Sequence, residues 1–498
     1  MTENTTDNIL SSFFRQVASF WGNASRYHGF FILAAIGLIV TLLLFFMSNF
    51  ENDTNVVLNT IIFCVVAGGV YLLLRQKSLH LAAFTFAAAL LLRICLIFVM
   101  ESAPTDVYMS NDDRARTYKW IRHYNSVLLQ ADEFFYAYHI QTYKNITTSE
   151  FLKLPELLKN SHRTSFLMSR VFRILGDEFV WLRLFEAFLG AFAAMFLILA
   201  AREFFSKHTL LIISLLSVIA PQTAFYSVRF LKETWVIFAA SLMVFGFTVI
   251  IRNKKYISAI LPMAIGGAIL IWLRLEYGLM CISVIPMAIY FRGKSSYIGK
   301  FLITVPMLLL IVMIAFYQFD RLSQKTENLF NKYEHAERGQ KGRAESVAIL
   351  DKTYTSQGPL RLLNVPLSVL NPPPRRLHHV VAPANGLHDI VLQADIWQWW
   401  LLLPFLGIGT IATIIKYKEF LVFLLPYIAA VSISAILLGG LLPSVYRYRD
   451  SLAPVAFIII GVGLESYISN QNRWKNIIIL FTCLVFAVLT VFLYANGF

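Results

Sequence analysis

The chain has 498 residues, 57% of them apolar and only 14% charged, and it carries a formal net charge of +14. An ordinary soluble domain averages about 25% charged residues, so this composition argues against one. The positive charge is spread over short connectors, which also argues against a nucleic-acid-binding patch.

The apolar residues fall in blocks long enough to cross a bilayer, which takes about 20 residues of helix. Such segments must be helical, because lipid offers no partner to open backbone groups. In chain order about 13 blocks are read: 29–48, 55–74, 79–100, 180–201, 208–225, 232–251, 257–273, 277–291, 299–317, 397–415, 419–440, 452–468 and 475–496. Residues 1–28 are polar, with no apolar core before a small-residue cleavage site. No secretory signal is expected, and block 29–48 is expected to stay as an anchor. Cys64, Cys95, Cys281 and Cys483 all lie inside apolar blocks and are read as packing residues, not a disulfide framework. The fold class that follows is an all-α polytopic membrane protein. Its predicted parts are a cytoplasmic segment (1–28), three spans (29–100), a first large loop (101–179), spans 4–9 (180–317), a second large loop (318–396) and spans 10–13 (397–498).

Connector charge sets the predicted orientation, since Lys and Arg concentrate on the cytoplasmic side. Six short connectors are basic: Arg75/Lys77, Arg202/Lys207, Arg252/Lys254/Lys255, Arg292/Lys294/Lys300, Lys416/Lys418 and Arg473/Lys475. With about 13 spans and a cytoplasmic N-terminus these are the even-numbered connectors, whereas the first connector, at Glu51 and Asp53, is acidic. Both large loops and the C-terminus then fall outside. So do the turns Arg229–Glu233, Arg274–Glu276 and Arg447–Asp450, whose cations run against the usual bias. They read either as ordinary snorkelling charges or as an anion site at the outer headgroup level.

The first loop holds three adjacent acidic pairs, Asp112/Asp113, Asp132/Glu133 and Asp177/Glu178. The second pair opens the aromatic run Asp132-Glu133-Phe134-Phe135-Tyr136-Ala137-Tyr138-His139, which suits a short interfacial helix. In the second loop Asn371-Pro372-Pro373-Pro374 precedes Arg375, Arg376, His378 and His379; three prolines force an extended backbone. Adjacent histidines share no helix face and no third ligand stands at metal spacing, so no ligand motif supports a divalent metal. No cofactor is expected. There is no P-loop, dinucleotide fingerprint or nucleophile elbow. An energy source must therefore lie in the membrane, as an activated lipid or an ion gradient.

Three stretches resemble the GT-C glycosyltransferases, in particular bacterial members related to the protein mannosyltransferases of glycosyltransferase family 39. Asp132-Glu133-x-x-Tyr136 is similar to the acidic motif of that family's first outer loop. Arg183-Leu184-Phe185-Glu186-Ala187-Phe188-Leu189-Gly190 resembles the start of its next span, followed by Pro221 near an outer helix end and by Leu231-Lys232-Glu233. Arg447-Tyr448-Arg449-Asp450-Ser451-Leu452-Ala453-Pro454 resembles its late Arg-Tyr-Arg element. Order and spacing agree over about residues 79–290 and 440–470. Two departures stand: spans 29–48 and 55–74 precede the loop where the family usually has one, and Asp112-Asp113 competes for the acidic role.

The resemblance implies a GT-C-like bundle that moves a sugar from a polyprenyl-phosphate carrier to a glycan, glycolipid or protein acceptor outside the bacterial inner membrane. Its partners would be that donor, the acceptor and membrane lipid, without nucleic acid. Such transfer needs a carboxylate within reach of the acceptor hydroxyl as general base. The resemblance gives that role to Asp132, with Glu133 beside it. The leaving lipid phosphate needs fixed cations, for which Arg229, Lys232, Arg447 and Arg449 are the candidates. Further candidates are Asp112, Asp113, Arg93, Glu233, Arg183, Arg375 and Arg376. Each also has a plain reading. Asp132 can solvate an interfacial helix, Lys232 and Glu233 can pair at a helix start, and Arg183 and Glu186 can pair across one turn. Arg93, inside an apolar block, is costly unless it pairs, faces a cavity or snorkels. Two rival functions remain open. One is an O-antigen or capsule polymerase or ligase, to which the Arg375…Gly386 spacing points weakly. The other is a transporter or lipid flippase, which predicts inverted repeats and midplane charges.

Overall fold

The computed structural model of the chain describes residues 54–76, 79–102, 179–228, 232–252, 256–274, 277–278, 281, 285–291, 305, 386–428 and 451–469. Every regular element among the described residues is helical. They are α1 (Thr54–Gln76), α2 (His80–Ser102), α3 (Phe179–Ala201), α4 (Lys207–Ile219), α5 (Pro221–Tyr226), α6 (Lys232–Ile251), α7 (Tyr256–Leu273), α8 (Ile285–Tyr290), α9 (Gly386–Ile415), a 3-10 turn (Lys418–Phe420) and α10 (Ala453–Ser469). Among the described residues three segments are long and apolar enough to cross a membrane: His80–Val99, Arg183–Ala201 and Lys232–Ile251. The predicted blocks 29–48 and 475–496 lie outside the described residues, as do nearly all of both large loops and of 299–317.

Two helices differ from the sequence expectation in an informative way. Block 208–225 is not one helix: Ala220 sits at φ −50 and ψ 107 between α4 and α5. Pro221 is the cause, since its ring pushes the preceding residue out of the helical region while suiting the first position of a new helix. Block 397–415 starts too late. α9 begins at Gly386 and runs 30 residues, because the polar stretch holding His388, Asp389 and Asp395 continues the helix without continuing the apolar run. Hydropathy reports depth in lipid, and helix formation does not stop where depth does.

The described residues fall into two compact units. The first holds α1, α2, α3 up to Met195, and the segment 223–238. α1 and α2 form an antiparallel hairpin whose turn is closed by Leu79 N–H donating to Leu74 O at 2.9 Å. An aromatic ladder binds it to α3. Phe63 stacks on Trp181 at 5.8 Å and lies 5.0 Å from Phe188, and Phe86 lies 6.2 Å from Phe188 and 5.1 Å from Phe192. Ala82, Ala83, Ala87 and Ala89 on α2 are all buried; small side chains let helix backbones approach closely, which is how spans associate when lipid removes the hydrophobic drive.

The second unit holds residues 196–222 and the described residues from Ala239 onward. Its tightest contact is the crossing of α9 and α10. A Cβ on Gly409 would collide with the Ile459 carbonyl, and one on Gly463 with the Phe405 carbonyl. Each glycine lies four residues beyond the residue whose carbonyl blocks its counterpart. Two Phe/Ile-x-x-x-Gly segments therefore lock against each other at main-chain distance. Gly461 faces Phe205 and Ile213, which seats α4 on α10. Trp399 stacks on Phe457 at 6.2 Å further along.

At one end of this unit four chain segments meet. Phe204 and Phe205 pack on Phe420 at 4.8 and 5.8 Å. Arg252 lies 4.4 Å from the Phe204 ring centre and 3.7 Å from Glu419. The Glu465 carboxylate accepts from Ser206 N–H at 3.1 Å and Ser206 Oγ at 2.8 Å. That carboxylate does what the Ser206 side chain does not, satisfying an open donor at the start of α4. Connector parity assigns all four segments to the same side of the membrane, and here they touch.

Candidate functional site

One buried arginine ties three segments of the first unit together. α2 is apolar throughout its middle, yet it carries Arg93, which is 2% exposed. The guanidinium does not snorkel. Its Nε donates to Ser227 Oγ at 2.7 Å and its Nη1 to the Ala89 carbonyl at 2.9 Å, one turn back on its own helix. Ser227 in turn donates to the Ala224 carbonyl at 2.7 Å. The serine hydroxyl thus ends α5 and accepts a charged hydrogen bond from α2. Charge-assisted bonds of this kind are roughly twice as strong as neutral ones.

The third wall is α3. A Cβ at Gly190 would run into Arg93 Nε, and would stand 2.8 Å from Ser227 Cβ and 2.9 Å from Ser227 Oγ. Only a residue without a side chain lets the three segments close on the guanidinium. Arg183 and Glu186 precede Gly190 by seven and four residues, so all three lie along one stripe of α3, and both charged residues are fully buried. Burying charge in this way is tolerated only when it is engaged by other groups, and each of these residues has an interaction partner.

The segment after Ser227 leads to α6, which opens with Lys232, Glu233, Thr234 and Trp235. Lys232 is exposed and Glu233 is 1% exposed. A carboxylate in the first turn complements the positive end of the helix dipole, while the lysine next to it stands in the unfavourable position and reaches outward. Both are engaged with neighbouring groups. Trp235 packs on Phe185 at 5.8 Å, and Ala193, Tyr226 and Ile237 form a small core beneath, with Phe238 against it. The start of α6 is therefore fixed by aromatic packing, and Arg93 fixes the end of α5.

Of the residues singled out from sequence, the first unit contains Arg93, Arg183, Lys232 and Glu233, along with Glu186. Asp112, Asp113, Asp132, Glu133, Arg229, Arg375, Arg376, Arg447 and Arg449 lie outside the described residues. In the second unit Arg274 is 5% exposed and sits 5.8 Å from the Tyr277 ring centre. Among the described residues no cluster of three His, Cys, Asp or Glu side chains could hold a metal ion. Sequence reasoning missed Ser227 altogether, because a lone serine at an apolar helix end carries no pattern. Gly190 was visible only as a small residue near the end of a motif. The chain matches no protein-family model, no curated protein and no solved structure.

Proposed function

We propose that the chain is an integral-membrane glycosyltransferase of the GT-C kind, with about 13 transmembrane helices and its site on the outer face of a bacterial inner membrane. It transfers a sugar from a polyprenyl-phosphate carrier to a glycan, glycolipid or protein acceptor. The observation that carries the reading is the arrangement at the start of α6. There an exposed Lys232 opens α6 five residues after Ser227, which is held by its buried hydrogen bond from Arg93. On connector parity that helix start faces outward, at the level where a lipid phosphate sits. In the reaction Asp132 takes the proton of the acceptor hydroxyl as its oxygen bonds the anomeric carbon. The bond from that carbon to the carrier phosphate breaks, and Lys232, with Arg229, Arg447 and Arg449, stabilises the charge left on the phosphate.

Asp132→Asn should abolish sugar transfer in purified protein while expression and membrane insertion stay intact, and Arg447→Ala should weaken donor binding at least tenfold. Full transfer by the Asp132 variant would sink the proposal. A second reading, a transporter or flippase, draws support from Arg93, Arg183 and Glu186, buried within apolar helices where ionisable residues usually mark a path. Detergent solution separates the two, because a transferase works there and a transporter has no gradient to use.

A further inference from the structure

The end of the second unit where four segments meet carries more positive charge than its own carboxylates can neutralise. Three carboxylates are present among the described residues of this junction, and each is engaged. Glu203 holds Arg202 at 3.3 Å, Glu419 holds Arg252, and Glu465 is taken by the N–H and hydroxyl of Ser206. Lys207, His208, Lys416 and Lys418 are all exposed, and none has an ion pair among the described residues. Lys416 lies only against the face of Tyr417, at 5.0 Å. The aromatic packing of Phe204 and Phe205 on Phe420 brings the 204–208 and 416–420 segments, and with them these three lysines and His208, into one patch.

What adjoins the patch decides what kind of anion it suits. α9 runs into it, and its last turns expose Ile411, Ile414 and Ile415, at 53%, 54% and 73%. Lys416 follows Ile415 directly. At 1.5 Å of rise per residue, an apolar surface about 7 Å long passes into cations within one and a half turns. A free phosphate would use only the cations; a molecule with both an acyl chain and an anionic head would use the whole strip.

We propose that this junction is a binding site for the headgroup of an anionic phospholipid, with Lys207, Lys416 and Lys418 on the phosphate and the end of α9 along the acyl chain. The site is independent of the sugar transfer proposed above. Lysines near an anionic lipid surface each contribute about 1 kcal/mol, and every 1.4 kcal/mol is tenfold in affinity.

The test is lipid binding to purified full-length protein, read by native mass spectrometry during titration with dioleoylphosphatidylglycerol, dioleoylphosphatidylcholine or inorganic phosphate. Phosphatidylglycerol should bind more than tenfold tighter than phosphatidylcholine. The combined variant Lys207→Gln, Lys416→Gln, Lys418→Gln should lose about a hundredfold of that affinity, while the same three changes to Arg should keep it. Arg75→Gln, an exposed cation of the first unit, should leave it within twofold. If the triple Gln variant does not fold, Lys416→Gln with Lys418→Gln should lose about thirtyfold. The proposal is overturned if the two lipids bind equally, if the Gln variants keep full affinity, or if inorganic phosphate displaces phosphatidylglycerol at equal concentration.

Discussion

Gly190→Ala is the smallest change that tests the Arg93 node. In an exposed helix the substitution stabilises by about 1 kcal/mol, because alanine loses less backbone entropy than glycine. At Gly190 the new methyl meets Arg93 Nε and Ser227. Forcing a methyl into a close-packed site costs about 1–3 kcal/mol. If the guanidinium is displaced from Ser227 Oγ, a charged hydrogen bond worth about 1.5–3 kcal/mol is lost as well. The net effect is a destabilisation of roughly 1.5–5 kcal/mol. The assay is unfolding in mixed detergent micelles, with Gly407→Ala as an internal control. Gly407 lies inside α9 with nothing near its Cβ direction, so that variant should gain up to about 1 kcal/mol. Combining Gly190→Ala with Arg93→Leu should relieve most of the overpacking, leaving a coupling of more than about 1 kcal/mol between the two sites. If Gly190→Ala is as stable as Gly407→Ala, the node does not exist as described.

Two further outcomes follow from the second unit. Gly409→Ala or Gly463→Ala places a methyl against a main-chain carbonyl that cannot rotate away, so each should cost at least about 2–3 kcal/mol in the same unfolding assay; an unchanged midpoint would refute the α9–α10 crossing. Cysteines placed at Lys207 and Lys418 should react with a membrane-impermeant maleimide from the same side in oriented vesicles, because their segments touch through Phe205 and Phe420; labelling from opposite sides would break the topology.

The sequence made the helices readable because nothing but helix satisfies backbone groups in an apolar medium. Block 232–251 coincides with α6, and 180–201 is one residue off α3. Four segments that connector charge placed on one side, 202–207, 252, 416–419 and the end of α10, are in contact. What hydropathy could not give were the events inside or beyond the apolar runs. The stop at Ala220 depends on one proline, and the early start of α9 on polar residues that are helical all the same. The node could be only half seen. A charge such as Arg93 in an apolar run is conspicuous, but its partner Ser227 is distant by 134 positions and chemically ordinary. Which residue answers a buried charge is decided by packing, here by the missing side chain at Gly190, and no local pattern encodes it.

The length of α9 has a mechanical meaning. Thirty residues make a rod of about 45 Å, and the hydrocarbon core is about 30 Å thick. Holding the whole rod inside would need a tilt near 48°, beyond the usual range of about 0–40°. Placed across a bilayer at such tilts, α9 would leave about one to three turns at its polar Gly386 end outside the hydrocarbon. Helix runs without coil from Gly386 to the glycine crossing with α10, and Pro404, which removes one hydrogen bond from the ladder, is where it would bend.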